Sequence, residues 1–201
     1  FFPLSAQESE VLISTSHTSL LLSTSQGGEL KFLYYGRKLT DADVHAVVST
    51  ESGSFSAYPV YGLNCPSESA LSVQHEDGNM TLQMEVIGVE TTHQEKANLT
   101  VISLKDKVYP FYVKLCYKAY QDVDVIEAWT EISHKEKKNV KLNQFASAYL
   151  PVRKGNVWLS SLYGAWANEA RLVQEPLEPG MKVIKNKDGV RNSHTAHAEV
   201  M

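Results

Sequence analysis

The sequence predicts an all-β protein made of antiparallel sheets, and three observations predict it. Apolar and polar side chains alternate with a period of two along most of the chain. Two Asp-Gly pairs, Asp77-Gly78 and Asp188-Gly189, mark tight turns. Helix-friendly composition is confined to one short stretch. The 201 residues are 43% hydrophobic and 21% charged, as in an ordinary globular chain with a core. That length suits a single large sandwich domain over residues 1–201.

Taken in order, Val11 to Ser14, Ser19 to Ser23 and Leu30 to Tyr35 are the first strand candidates. The Ser/Thr-rich segments 14–25 and 49–56 read as turns or edge strands. Met80, Leu82, Met84 and Val86 point one way while Thr81, Gln83 and Glu85 point the other, a half-buried strand. With Leu71-Ser72-Val73 and the turn His75 to Asn79 before it, residues 70–87 read as a β-hairpin. Val113, Leu115, Tyr117 and Ala119 share a face, and a turn at Gln121 to Asp124 follows. Val125 to Ile132, rich in β-branched and aromatic residues, is the next strand, and Val140 to Ala146 another. Ala165 to Gln174 is the one stretch of helical composition, short and followed by Pro176. Val183 to Lys185 leads into the turn Asn186 to Gly189. No internal repeat and no domain boundary is visible, and many strands joined by short turns point to a sandwich, with a closed barrel as the other option.

Composition excludes several functions. The net charge of -4 lacks the basic face a nucleic acid requires. Apolar runs of four or five residues are far short of a membrane-spanning helix. Phe1 to Leu4 followed by Ser5-Ala6 fits the tail of a trimmed secretory signal, hence a periplasmic or secreted protein, and fits an ordinary terminus equally, which leaves the cytoplasm open. Cys65 and Cys116 are too few for a disulfide framework, and unlinked thiols are the default over a bridge.

The sequence carries few motifs of recognisable chemistry. There is no nucleophile elbow, phosphate loop or dinucleotide fingerprint. His194 and His197 fall on opposite faces of an extended chain, so a polar loop outweighs a metal site. Ser193 beside His194 lacks a placed acid. Glycosidic chemistry needs two acids flanking one bond, but Asp41/Asp43 and Asp122/Asp124 sit in turn-like contexts and read as backbone caps. Aromatic rings beside glycine, in Tyr34-Tyr35-Gly36, Tyr58-Pro59-Val60-Tyr61-Gly62 and Tyr163-Gly164-Ala165-Trp166, suit either a sugar platform or caps on the core.

Six segments in order resemble the N-terminal domain of glycoside hydrolase family 36, of the bacterial α-galactosidase type and most like versions from Bacteroides-type bacteria. They are Leu33 to Leu39, Tyr58 to Gly62, Ala70 to Val73 with its Asp-Gly turn, Val125 to Ile132, Leu162 to Glu169 and Gly189 to His194. The resemblance implies a β-supersandwich of the galactose-mutarotase type. The family's domain usually continues past the segment matching Gly189 to His194, which implies a sandwich incomplete at the C-terminal end. It also implies a retaining α-galactosidase whose two catalytic aspartates lie on a following barrel, beyond Met201, so that residues 1–201 alone are inactive. It implies an α-galactoside or related oligosaccharide as the parent enzyme's substrate, and a homo-oligomer; no cofactor, metal, nucleic acid or membrane partner is expected.

One departure bears on specificity. Where the family's loop commonly carries an aspartate and an arginine, this chain has Cys65 and Ser67. A related α-glycoside, such as an N-acetylated galactosaminide, therefore stays open as substrate. The resemblance makes Tyr61, Asn64, Cys65 and Trp166 the candidates for facing a sugar or a neighbouring subunit. Two other readings compete: a stand-alone carbohydrate-binding module, and an aldose mutarotase, for which His194 with Glu199 is the available His–carboxylate pair.

Overall fold

The computed structural model describes residues 9–25, 27–50, 55–62, 68–152, 155–165 and 168–184. The chain forms two compact units, Phe1–Pro151 and Val152–Met201.

In the first unit, β1 (Ser9–Ser14), β2 (Thr18–Thr24), β3 (Leu30–Arg37) and the two-residue β4 (Phe55–Ser56) make one antiparallel sheet. A second is built from β6 (Met84–His93), β7 (Ala97–Asp106), β8 (Phe111–Tyr120) and β9 (Val125–His134), in sequential order. A two-stranded ladder joins β5 (Leu71–Gln74) to β10 (Lys141–Phe145). The inward faces meet in one core that includes Val11, Ile13, Leu20, Leu22, Phe32, Val73, Ile102, Leu104, Phe111, Val113 and Leu115. Each such side chain contributes roughly 1.5–3 kcal/mol when fully buried. The alternation read for Val113 to Ala119 is the core face of β8, and the turn after it forms at Asp124, whose φ is 54°.

The run Leu20-Leu21-Leu22 is buried on both faces of β2. Leu20 and Leu22 enter the main core, while Leu21 packs with Leu33 and Val44 on the other face. Val44 belongs to α1 (Asp41–Thr50), a helix where only a turn was expected. Its N-terminus is a reciprocal cap: Asp43 N–H donates to Thr40 Oγ1 at 3.3 Å, and Thr40 N–H donates back to Asp43 Oδ2 at 2.9 Å. Val44, Val47 and Val48, spaced three and four apart, supply the buried stripe. Valine has modest helix propensity, so the cap and the stripe were the legible signals, not the composition. Asp41 and Asp43 thus sit in a helix's first turn, and Asp43 caps backbone as expected of it.

The hairpin expected over residues 70–87 does not form. The turn closes, with His75 N–H on Asn79 C=O at 2.8 Å, but the flanking strands part. Residue 61 stands between them: Tyr61 N–H donates to Leu71 C=O at 2.8 Å, and Tyr61 C=O accepts Leu82 N–H at 3.0 Å. β5 therefore pairs with β10, and β6 with β7. Leu82, Met84 and Val86 still face the core as their alternation requires.

In the second unit, β11 (Trp158–Ala165) and β12 (Asn168–Pro176) form an antiparallel ribbon with an irregularity between Tyr163 and Ala165. The stretch of helical composition at 165–174 is thus largely strand. Pairing satisfies the backbone of Leu172 and Val173 against Leu162 and Ser161, and this outweighs local propensity. Val183 and Ile184 lie outside any strand, and the Asp-Gly turn after them is outside the described residues.

Candidate functional site

The corner Tyr58–Gly62 is held from both ends. Tyr58 is buried, and its hydroxyl donates to Ala146 C=O at 2.8 Å. Burial pushes this phenol above its ordinary pKa. Pro59 C=O accepts the Ala70 N–H at 2.7 Å. Gly62 adopts φ 144°, and an added Cβ would meet Leu82 C=O at 3.0 Å, so the position requires glycine. With its backbone fixed between Leu71 and Leu82, Tyr61 is 50% exposed. Asn64, Cys65 and Trp166 lie outside the described residues, as do His194, His197 and Glu199. Cys116 is a free, buried thiol whose pKa is raised, first by burial and then by Glu131.

A His–carboxylate pair does form, at residues the sequence did not single out. His75 Nδ1 lies 2.8 Å from Glu136 Oε1, with side-chain exposures of 0% and 3%. The contact is a hydrogen bond between the imidazole Nδ1 and the carboxylate oxygen. Nε2 has no hydrogen-bond partner among the described residues. The imidazole is stacked on Tyr109 at 3.7 Å between centroids and meets Phe111 edge-on. Around it, Tyr109 donates its hydroxyl to Asp77 Oδ2 at 2.7 Å, which lowers the Asp77 pKa and raises that of Tyr109. The orientation matches a general-base histidine held by an acid, but Nε2 faces packed side chains. A base must reach the proton it abstracts, so this pair works as a clasp. It ties the 75–79 turn to the β9–β10 loop, helped by Glu76 N–H on Glu136 Oε2 at 3.2 Å and Lys138 N–H on Glu76 Oε2 at 2.9 Å.

The carboxylates weighed for glycosidic chemistry are engaged elsewhere. Asp124 accepts from Thr15 Oγ1, from His17 N–H at 3.2 Å and from Thr18 Oγ1 at 3.3 Å, and the Thr15 bond leads in holding its pKa low. Asp122 pairs loosely with Lys96 at 3.9 Å. Asp43 is the helix cap.

A cleft of about 150 Å³ is lined by Leu20, Leu22, Phe32, Ile126, Leu150 and the tyrosines 35, 117 and 149, among others. Tyr117 is largely buried, and desolvation lifts its pKa to about 12. The lining offers tyrosine hydroxyls and no charged side chain. A sugar pocket needs several placed polar groups, so this cleft is poor ground for the binding-module reading.

The matched family model is described as the glycosyl hydrolase family 36 N-terminal domain and covers residues 28–201. Alpha-galactosidase Mel36A of Lactobacillus acidophilus is 29% identical over 104 residues, which are 52% of this chain and 14% of that protein. Among solved structures, a variant of the family 36 α-galactosidase AgaA of Geobacillus stearothermophilus in complex with raffinose superimposes with a TM-score of 0.85 at 19% identity, over 94% of this chain and 31% of that one. The α-galactosidase of Lactobacillus brevis gives a TM-score of 0.81 at 21% identity, over 94% of this chain and 30% of that one. These two likenesses establish the fold, and the chain spans under a third of either solved chain.

Proposed function

The chain belongs to the family of glycosyl hydrolase family 36 N-terminal domains, and from that premise we propose that it serves as the non-catalytic β-sandwich of a retaining α-galactosidase or closely related α-glycosidase. In this reading the two bond-breaking acids come from a barrel outside residues 1–201. The sandwich supports that barrel and contributes to assembly of a homo-oligomer acting on galactosides. The observation that carries the proposal is the family match over residues 28–201. The sealed His75–Glu136 pair supports it, because the one buried His–carboxylate dyad among the described residues lacks a path to substrate. The same fact weighs against an aldose mutarotase. Tyr61, with Asn64, Cys65 and Trp166, is proposed as the part of the domain that faces sugar or a neighbouring subunit.

The test is turnover. Residues 1–201 incubated with p-nitrophenyl α-galactoside are expected to release no nitrophenol, and fused to a family 36 barrel they are expected to yield a folded hydrolase. Measurable hydrolysis by residues 1–201 alone overturns the reading. Interconversion of fresh α-galactose by polarimetry would establish the mutarotase instead.

A further inference from the structure

The outward face of the β8–β9 ladder carries aromatic rings at a regular step. On β8 the residues pointing away from the core are Tyr112, Lys114, Cys116, Lys118 and Tyr120, since Phe111, Val113, Leu115 and Ala119 are buried. On β9 they are Val125, Glu127, Trp129, Glu131 and Ser133, because Ile126 and Ile132 pack on the core. The register sets Trp129 directly opposite Cys116. Tyr112, the Cys116–Trp129 row and Tyr120 thus follow each other at intervals of four residues, about 13 Å apart along the strands.

Each ring has polar company. Trp129 Nε1–H donates to Glu131 Oε1 at 3.3 Å, and Glu131 lies 4.0 Å from Lys114. Tyr120 donates its hydroxyl to Glu127 Oε2 at 3.0 Å, and Lys118 Nζ sits 4.9 Å from the Tyr120 ring centroid. Lys135 Nζ lies 5.8 Å from the Tyr112 ring centroid. Around the Trp129 and Tyr120 rings the charges come in opposite pairs, and the lysine and glutamate of one such pair, Lys114 and Glu131, are 56% and 55% exposed.

We infer that this face binds a linear, neutral oligosaccharide. Flat rings on a pleated surface suit the apolar faces of pyranoses, and carboxylates with ammonium groups at the ring edges supply both acceptors and donors for hydroxyls. Paired opposite charges leave little net field, which disfavours a charged ligand. The ring step is longer than one pyranose, so the ligand must span several sugar units to reach two rings. Lys118, half-buried over the half-buried Tyr120 ring by a weak contact, moves aside or bonds the sugar. The inference goes beyond the accessory-domain reading and stands on this face alone. Sugar binding and hydrolysis are separate readouts, so either reading can fail without the other.

The experiment is calorimetric titration of residues 1–201 with galactose, raffinose and stachyose. Stachyose is expected to bind with a Kd on the order of a millimolar, raffinose more weakly and galactose undetectably. Trp129→Ala and Tyr120→Ala should each weaken stachyose binding about tenfold. Trp129→Phe, which keeps a flat ring, should stay within about threefold of the parent. Circular dichroism of each variant checks folding, and Tyr120→Ala keeps the test open if Trp129→Ala unfolds the chain. Equal affinity for galactose and stachyose, absence of stachyose binding, or binding unchanged in folded Trp129→Ala and Tyr120→Ala proteins overturns the inference. So does a concentration-dependent sedimentation coefficient abolished by Tyr120→Ala without sugar binding, which would assign the face to a second copy of the chain.

Discussion

Two carboxylate clasps hold the sandwich together, and they differ in where they sit. At one, Glu136 reaches His75 inside a wall made by Tyr109 and Phe111, with both side chains all but closed to water. At the other, Asp124 gathers the β1–β2 turn at the surface through Thr15, His17 and Thr18. Gln121 reinforces it by donating to Ser14 C=O at 2.8 Å and accepting from Ser16 Oγ. The chemistry is alike, a side-chain carboxylate satisfying donors from a distant turn. The energetics are not. If Asp124 is lost, the buried Thr15 hydroxyl keeps Thr18 C=O as an acceptor at 3.3 Å, and water can replace the exposed bonds to His17 and Thr18, but none reaches His75 if Glu136 is removed. The buried clasp is therefore needed for folding, whereas the exposed one adjusts stability with pH.

The largest effect should come from Glu136→Ala, which strands a buried imidazole and frees the Glu76 N–H. A loss of about 3–5 kcal/mol in urea unfolding is expected. A loss comparable to that of Asp124→Ala would abolish the distinction between the two clasps. Replacing both partners, His75→Phe with Glu136→Leu, removes the orphan along with the bond. This double variant should lose only about 1–2 kcal/mol, less than Glu136→Ala alone.

The smallest effect belongs to Asp124→Asn, and it should appear chiefly as a change of pH dependence. The folded pKa of Asp124 is depressed, first by the Thr15 hydroxyl and then by the His17 N–H and Thr18 hydroxyl. Its contribution is thus fully present above the unfolded value near 3.9 and is lost as pH falls through the lower folded value. Urea midpoints of parent and variant should differ at neutral pH and converge in acid below about pH 4. A constant gap across that range would show that the carboxylate's charge is not what holds the turn.

The strands of the sheets were legible where periodicity was strong and local. Val113 to Ala119 and Val125 to Ile132 each present one clean face, and the turn between them spans four residues, so neighbours in sequence became neighbours in space. The helix at Asp41–Thr50 was written in Thr40, Asp43 and the valines 44, 47 and 48, signals that composition alone masks. Of the candidate site, the exposed Tyr61 was legible, and its anchoring was not. The His75–Glu136 pair joins residues 61 positions apart, and no local pattern in either segment points to the other.

By itself the sequence determined the class of the fold, antiparallel sheets with their inward faces, because a period of two in polarity can be buried only by strands sharing one core. It also determined the family, through ordered segments spread along the chain. Only the tertiary structure decided which strands pair. The polarity of residues 70–87 specifies which side chains turn inward but not which backbone they meet, and Tyr61, arriving from elsewhere in the chain, takes the hydrogen bonds that a hairpin would have closed. Backbone donors and acceptors are the same at every residue, so partner choice rests on how the whole core packs.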